Sequence, residues 1–232
     1  QQAQGYDIDL QNQSEFYGQI AVQGPNSEDV MENVLGLPCA ELSFYTVKTI
    51  GEVIVSRTGY TGEDGFEVYA TPEYIRACWD KLIDAGVQPC GLGCRDTLRF
   101  EVGLPLYGDE LTEEISPIMA GLSMFVKLDK PEFIGREALV LQKTEGVAKK
   151  LVGIELADKA IPRHGYTVLK DGEPIGEVTT GYHTLSTDKS VCMALIDSQY
   201  AKLDTELEIQ IRKKTFPGQV VKKRFYDKHY KK

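Results

Sequence analysis

The residues best suited to chemistry crowd into one stretch, Ser56-Arg57-Thr58-Gly59-Tyr60-Thr61-Gly62-Glu63-Asp64-Gly65-Phe66-Glu67, which places three glycines and four charges at a strand–loop–strand junction. Loops of this makeup carry binding groups when a rigid scaffold holds them; the same makeup also describes a plain hairpin loop, its glycines supplying positive φ and its acids solvated. The GxxGxxG spacing is not a phosphate-binding loop, because GK[ST] is missing and no helix follows. A second cluster is Cys94-Arg95-Asp96-Thr97-Leu98-Arg99. There Arg95 can pair with Asp96 or a neighbouring acid, and Arg99, one helical turn on, reads as structural. Cys90 and Cys94 invite a metal reading, but His164, His183 and His229 are distant in sequence, so small buried thiols are expected and no metal site is.

The elements that must position these residues are legible from periodicity. Gln19–Gln23 alternates and ends at Gly24-Pro25, and Ser27-Glu28-Asp29 opens a helix carrying Val30, Met31, Val34 and Leu35. Leu42 to Ile50, Glu52 to Arg57 and Gly65 to Ala70 read as strands, the first two split by Gly51. Pro72 starts a helix over Glu73 to Ala85 whose face of Ile75, Cys78, Trp79 and Leu82 must be buried, with Gly86 as its stop. A short helix is expected at Gly135 to Leu139. Beyond it, Leu151–Leu156, Ile175–Val178, Val191–Leu195, Leu207–Ile211 and Gln219–Val221 are short strands at turn-separated intervals, with Lys170-Asp171-Gly172 as one turn. That is the pattern of a small barrel or sandwich. The fold class expected is α+β: an antiparallel-sheet region with packed helices over 1–125, a connector with a short helix over 126–147, and a small C-terminal β-barrel over 148–232.

Composition limits the function classes. The 232 residues are 42% hydrophobic and 26% charged with a formal net charge of −9, which describes a globular chain and argues against nucleic acid as the main partner. Residues 1–125 hold 6 lysines and arginines against 20 acids, whereas 126–232 hold 20 against 15, so two units with different surfaces are expected. No apolar run is long enough for a membrane span, and the first residues lack the basic and apolar blocks of a secretory signal, so the expected location is cytoplasmic. Five cysteines without a CxxC fit reduced thiols.

SRTGYTGEDGFE at 56–67 resembles the hallmark segment of the T-protein family of the glycine cleavage system, the tetrahydrofolate-dependent aminomethyltransferases. IAVQGP at 20–25, GLGCRDTLRFEVGLPLYGDEL at 91–111, PEFIGREAL at 131–139, IPRHGY at 161–166 and IGEVTTG at 175–181 are similar to further family blocks, in the same order. The resemblance implies a folate-binding region and a barrel domain. It makes Glu67 the carboxylate that grips the pterin, whose amino group and ring N–H two acceptor oxygens can answer together. By composition alone Glu67 is an exposed strand glutamate. Tyr60 matches a folate-contacting tyrosine, suited to packing on a flat heterocycle, with packing inside the sheet as its other reading. Arg95 matches a folate-site arginine. Tyr230, in RFYDKHYKK, falls where the family has a tyrosine reaching the substrate site, although a frayed terminus is the alternative there.

The implied reaction moves the aminomethyl carbon from the lipoylated H-protein to tetrahydrofolate with release of ammonia, mainly by orienting the two carriers. The family's long portion before the IAVQGP block, which holds the aspartate regarded as catalytic, has no counterpart here, so no catalytic residue is assigned. The expectation is a C-terminal fragment, inactive by itself and prone to self-association through uncovered sheet edges and apolar faces. Smaller departures are the absence of the usual proline in Gly181 to Ser186 and Leu104 where some members carry an aromatic. Arg212-Lys213-Lys214 and Lys222-Lys223-Arg224 are expected to lend the barrel a positive surface that steers an acidic carrier, or simply a solvated face. The alternative functions are another folate-dependent demethylase or dehydrogenase domain on this scaffold, and a non-catalytic folate-binding protein. Iron–sulfur assembly relatives of the latter kind carry a KGCYxGQE-type motif that is absent here.

Overall fold

The computed structural model describes residues 5–231. They form two compact units: the residues up to Gly91 together with the C-terminal stretch from Lys228, and Leu92–Asp227. The first unit contains β1 (Gly18–Gln23), α1 (Ser27–Asn33), β2 (Val47–Ile50), β3 (Val53–Ser56), β4 (Gly65–Ala70) and α2 (Pro72–Asp84). The strands make one antiparallel sheet in the order β1-β4-β3-β2. Side chains alternate across a strand, so Ile20, Val22, Val55, Phe66 and Val68 all point to one face, where they meet Met31 of α1 and Cys78 and Leu82 of α2 in a single core. Thr71 caps α2 by accepting from the Tyr74 amide, and Pro72 occupies the first turn, where a missing N–H costs nothing.

Two expectations for this unit are corrected. The strand expected from Leu42 forms only at Val47–Ile50, because Tyr45 adopts a left-handed φ of 64° and the chain turns through it. Trp79 is 46% exposed: the buried stripe of α2 is narrow, and Trp79 lies beyond its edge.

The other face of the sheet carries Gln19, Ala21, Ile54, Ser56, Glu67 and Tyr69. Pairing aligns Ala21, Glu67 and Ser56 across one rung and Gln19, Tyr69 and Ile54 across another. A shallow depression of about 500 Å³ opens on this face between Tyr17, Gln19, Ile54 and Tyr69.

The second unit begins with α3 (Leu92–Glu101) and α4 (Arg136–Glu145), the latter longer than expected. Six strands follow: β5 (Lys149–Leu156), β6 (Thr167–Lys170), β7 (Glu173–His183), β8 (Ser190–Asp197), β9 (Glu206–Ile211) and β10 (Lys214–Val221). They close into a barrel in the order β10-β5-β8-β7-β6-β9, bearing out the α+β class with a C-terminal barrel. Strand β6 escaped the sequence reading because it is only four residues long. Inward side chains such as Ile154, Val168, Val178, Ile196 and Ile209 fill the barrel, and Phe100 of α3 packs outside it on Leu151, Val191 and Met193.

Three thiols, Cys39, Cys78 and Cys192, are buried, but Cys90 and Cys94 are exposed, against the expectation for that pair. They flank the start of α3, where the chain has no core to enter. Of the second basic run, Lys223 is turned inward, its ammonium donating to the Ala120 carbonyl, and burial lowers its pKa. That run is therefore not a continuous positive surface.

Candidate functional site

Glu67 stands in the middle of β4, half-buried on the sheet face opposite the helices. Its Oε1 accepts from Gln19 Nε2 at 2.9 Å, and its Oε2 accepts from the Thr58 hydroxyl, which lies 2.7 Å from Ser56 Oγ. Donors from β1 and from the end of β3 thus fix the plane of the carboxylate. The Tyr69 hydroxyl hydrogen-bonds the same carboxylate, whose two oxygens present the two-acceptor edge that paired N–H donors need. Gln19 Nε2 also reaches the Tyr69 hydroxyl at 3.3 Å, and burial followed by the Glu67 charge raises the Tyr69 pKa.

The loop that delivers Thr58 is built around a side chain the sequence reading passed over. Gln23, at the end of β1, donates from Nε2 to the carbonyls of Thr58 and Phe66, both at 3.2 Å, and accepts from Thr61 Oγ1 at 3.3 Å. Its amide runs so close to the loop that a Cβ on Gly59 or Gly65 would lie 1.9 or 2.3 Å from Oε1. A side chain at either glycine would displace the Gln23 amide from these contacts; Gly62 alone of the three has positive φ, at 83°. The glutamine of the IAVQGP block was the available signal.

Arg57 and Asp64, also in the hallmark segment, are both buried and form a two-pronged ion pair: Arg57 Nε to Asp64 Oδ1 at 3.0 Å and Nη2 to Oδ2 at 2.7 Å. Arg57 also binds Glu28 of α1 at 2.6 Å and the Leu42 carbonyl at 2.8 Å, and its guanidinium lies 5.0 Å from the Phe66 ring centroid. The Asp64 carboxylate raises the Arg57 pKa further. Two of the loop's four charges therefore anchor it, against the reading of solvated acids.

Tyr60 is half-buried within this loop. Tyr230 is placed by the C-terminal stretch, which adds to the same unit: the His229 amide donates to the Gly62 carbonyl at 2.7 Å, His229 Nδ1 lies 3.1 Å from Glu63 Oε1, and the Tyr230 ring stacks on Phe44 at 4.2 Å. The frayed alternative is thus replaced by a docked one. Burial and the neighbouring Tyr45 raise the Tyr230 pKa. Tyr60, Glu67 and Tyr230 therefore belong to the same unit.

Arg95 belongs to the second unit, exposed on α3. Its neighbour Asp96 is engaged by Arg99 at 2.7 Å and by the Tyr182 hydroxyl. Arg99 is fully buried, as its structural reading implied, and donates to Glu110 Oε2 at 2.8 Å and to Thr180 Oγ1 at 3.2 Å. Glu110, equally buried, accepts from Thr179 at 2.7 Å, Thr180 at 2.6 Å and the Leu106 amide at 2.9 Å. Burial presses the Arg99 pKa down, Glu110 and Asp96 press it up, and the acids prevail. This network ties α3, and with it the helix turn bearing Arg95, to strand β7 of the barrel.

Burial and then Asp96 lift the Tyr182 phenol from 10.0 to about 12. A folded-state pKa above the unfolded one means stability that is complete below about pH 10 and is lost as pH rises towards about 12. Urea midpoints of the unmodified chain should therefore fall over that interval, and Tyr182→Phe should flatten this part of the fall.

The sequence matches two family models, "GCVT N-terminal domain" over residues 1–130 and "Glycine cleavage T-protein C-terminal barrel domain" over residues 149–227. Among curated proteins it is 53% identical over 230 residues to an aminomethyltransferase of Lysinibacillus sphaericus, covering 95% of this chain and 63% of that protein. It is 48% identical to an aminomethyltransferase of Thermoanaerobacter pseudethanolicus, covering 98% and 64%. The chain thus spans a little under two thirds of the length of these relatives. The crystal structure of the glycine cleavage system aminomethyltransferase T from Bartonella henselae superposes with a TM-score of 0.89 at 32% identity, over 93% of this chain and 61% of that one. Among the described residues, no helix is long and apolar enough to cross a membrane.

Proposed function

This chain belongs to the glycine cleavage T-protein family, and from that membership we propose that it carries the folate-facing sheet and the barrel of a tetrahydrofolate-dependent aminomethyltransferase. The proposed reaction takes the aminomethyl carbon from the lipoylated H-protein, releases ammonia and gives 5,10-methylenetetrahydrofolate in the cytoplasm. Tetrahydrofolate supplies the nitrogens that accept the carbon; the chain's own residues bind and orient it.

The observation that carries this reading is the Glu67 carboxylate, held by Gln19, Thr58 and Tyr69 on the sheet face opposite the helices. A pterin edge presents the complementary pair of donors, and a carboxylate already fixed in orientation loses little entropy on accepting them. Tyr60 and Tyr230 are proposed to pack against the flat ring system, and Arg95 to contribute a charge at the folate site. We assign the functional domains as residues 1–125 and 148–232 with 126–147 as connector, a reading supported by family-model matches over 1–130 and 149–227. Proton handling is proposed to fall to a residue outside the blocks matched here, so this length of chain alone is expected not to turn over.

Calorimetric titration with tetrahydrofolate, paired with an ammonia-release assay using the aminomethyl-loaded lipoyl carrier, tests both halves. The expected result is saturable folate binding without turnover by this chain, and both in a full-length relative. Failure of the relative to bind folate through the glutamate aligned with Glu67 would overturn the assignment, whereas turnover by this chain would overturn only its inactivity.

A further inference from the structure

On the barrel, the β9–β10 hairpin and the connection from β5 to β6 flank a groove of about 780 Å³. Its floor is apolar, formed by Ile161, Tyr166, Ile211 and Phe216, the last three half-buried against the barrel core. Its rim holds five cations, Lys159, Arg163, Arg212, Lys213 and Lys214, and among the described residues no acid lines it. Lys159 pairs with the exposed Asp188 at 3.1 Å and Arg163 lies 5.5 Å from the Tyr182 ring centroid. None of the ion pairs among the described residues engages Arg212, Lys213 or Lys214.

The backbone gives an independent sign. Non-glycine residues at positive φ among the described residues include Asp171, Asp188 and Asp204, whose short polar side chains tolerate that conformation. Arg212, at 58°, has no such excuse. A turn that would be relaxed with asparagine or glycine holds a cation on the groove rim at a conformational cost.

We propose that this groove docks an acidic, partly apolar polypeptide segment of a partner protein. The apolar floor takes aliphatic or aromatic side chains while the rim cations meet carboxylates, a division of labour that raises encounter rate and sets register. The barrel is closed, so it offers no strand edge and the segment is held through its side chains. A polynucleotide is disfavoured, because the apolar floor of Ile161, Tyr166, Ile211 and Phe216 gives a phosphate backbone no partner. The proposal does not depend on the transferase reading.

The test is fluorescence anisotropy of the whole chain with a labelled synthetic peptide of alternating glutamate and leucine, in parallel with a lysine–leucine peptide, inorganic polyphosphate and a short RNA. The acidic peptide alone is expected to bind. Arg212→Glu combined with Lys214→Glu should weaken it at least about tenfold, as should raising salt from about 0.05 to about 0.5 M. Ile161→Ser, on the exposed part of the floor, should weaken it severalfold. Arg212→Asn should weaken it while raising the thermal midpoint, which separates loss of docking from loss of fold. Affinity untouched by charge reversal would overturn the proposal. So would tighter binding of polyphosphate or RNA that ignores Ile161→Ser, or concentration-dependent self-association abolished by the same charge reversal, which would make the groove a contact between copies.

Discussion

Glu67→Gln should lower tetrahydrofolate affinity by roughly two orders of magnitude, in this chain if it binds measurably and in any full-length relative at the aligned position. The substitution keeps the size of the side chain and one acceptor oxygen, so the sheet has little reason to move, while only one of the donors Gln19 and Thr58 keeps its acceptor and the other must reorient. It removes the charge and turns one acceptor into a donor facing a donor. A hydrogen bond to a charged partner contributes about 1.5–3 kcal/mol, and leaving the opposing group unmet adds to the loss, which together reach the size stated. Calorimetry gives the affinity, and the thermal midpoint shows whether the fold is retained. Unchanged affinity in a folded variant would remove the carboxylate from the binding site. Gln19→Ala provides a graded comparison, since it should loosen the carboxylate without altering its charge and cost about tenfold or less.

Glu110→Ala should be the most destabilising single change in the second unit, at about 3–5 kcal/mol by urea unfolding followed with far-ultraviolet circular dichroism. The side chain is wholly buried, and its four hydrogen bonds come from Arg99, Leu106, Thr179 and Thr180. Deleting it removes the fully buried counter-charge of Arg99, leaving Asp96, and leaves two threonine hydroxyls facing a void. Arg99→Met with Glu110→Leu should recover most of the loss, because an apolar pair of similar volume carries no desolvation penalty. A cost below about 1 kcal/mol for Glu110→Ala would mean that the ion pair does not hold α3 to the barrel.

Much of this arrangement was legible in the chain itself, and the reasons are local. Gly65–Ala70 was readable to the residue because glycine, alternation and a following threonine–proline bracket it. The barrel strands declared themselves by short alternating runs between turns, such as Asp171-Gly172, where both residues take positive φ. What escaped depends on distant partners. Arg99 reads as structural, but its partners do not: it meets Thr180 81 positions away and Glu110 beyond the helix. Gln23 looked like a strand-end polar residue until 35 positions further on the loop closed over it. Trp79 was assigned to the core because it shares a helical face with Ile75, Cys78 and Leu82; a helix lying on only part of a small sheet buries a narrower stripe than its own pattern allows.

The pairing of His229 with Glu63 joins positions 166 apart, with all of Leu92–Asp227 threaded between them. During synthesis the hallmark loop therefore waits, still unclamped at Gly62, while the barrel emerges from the ribosome, and its final brace arrives only with the residues after Asp227. A nick or premature stop just past Asp227 would leave every barrel strand intact, yet it would disable a loop made more than a hundred codons earlier.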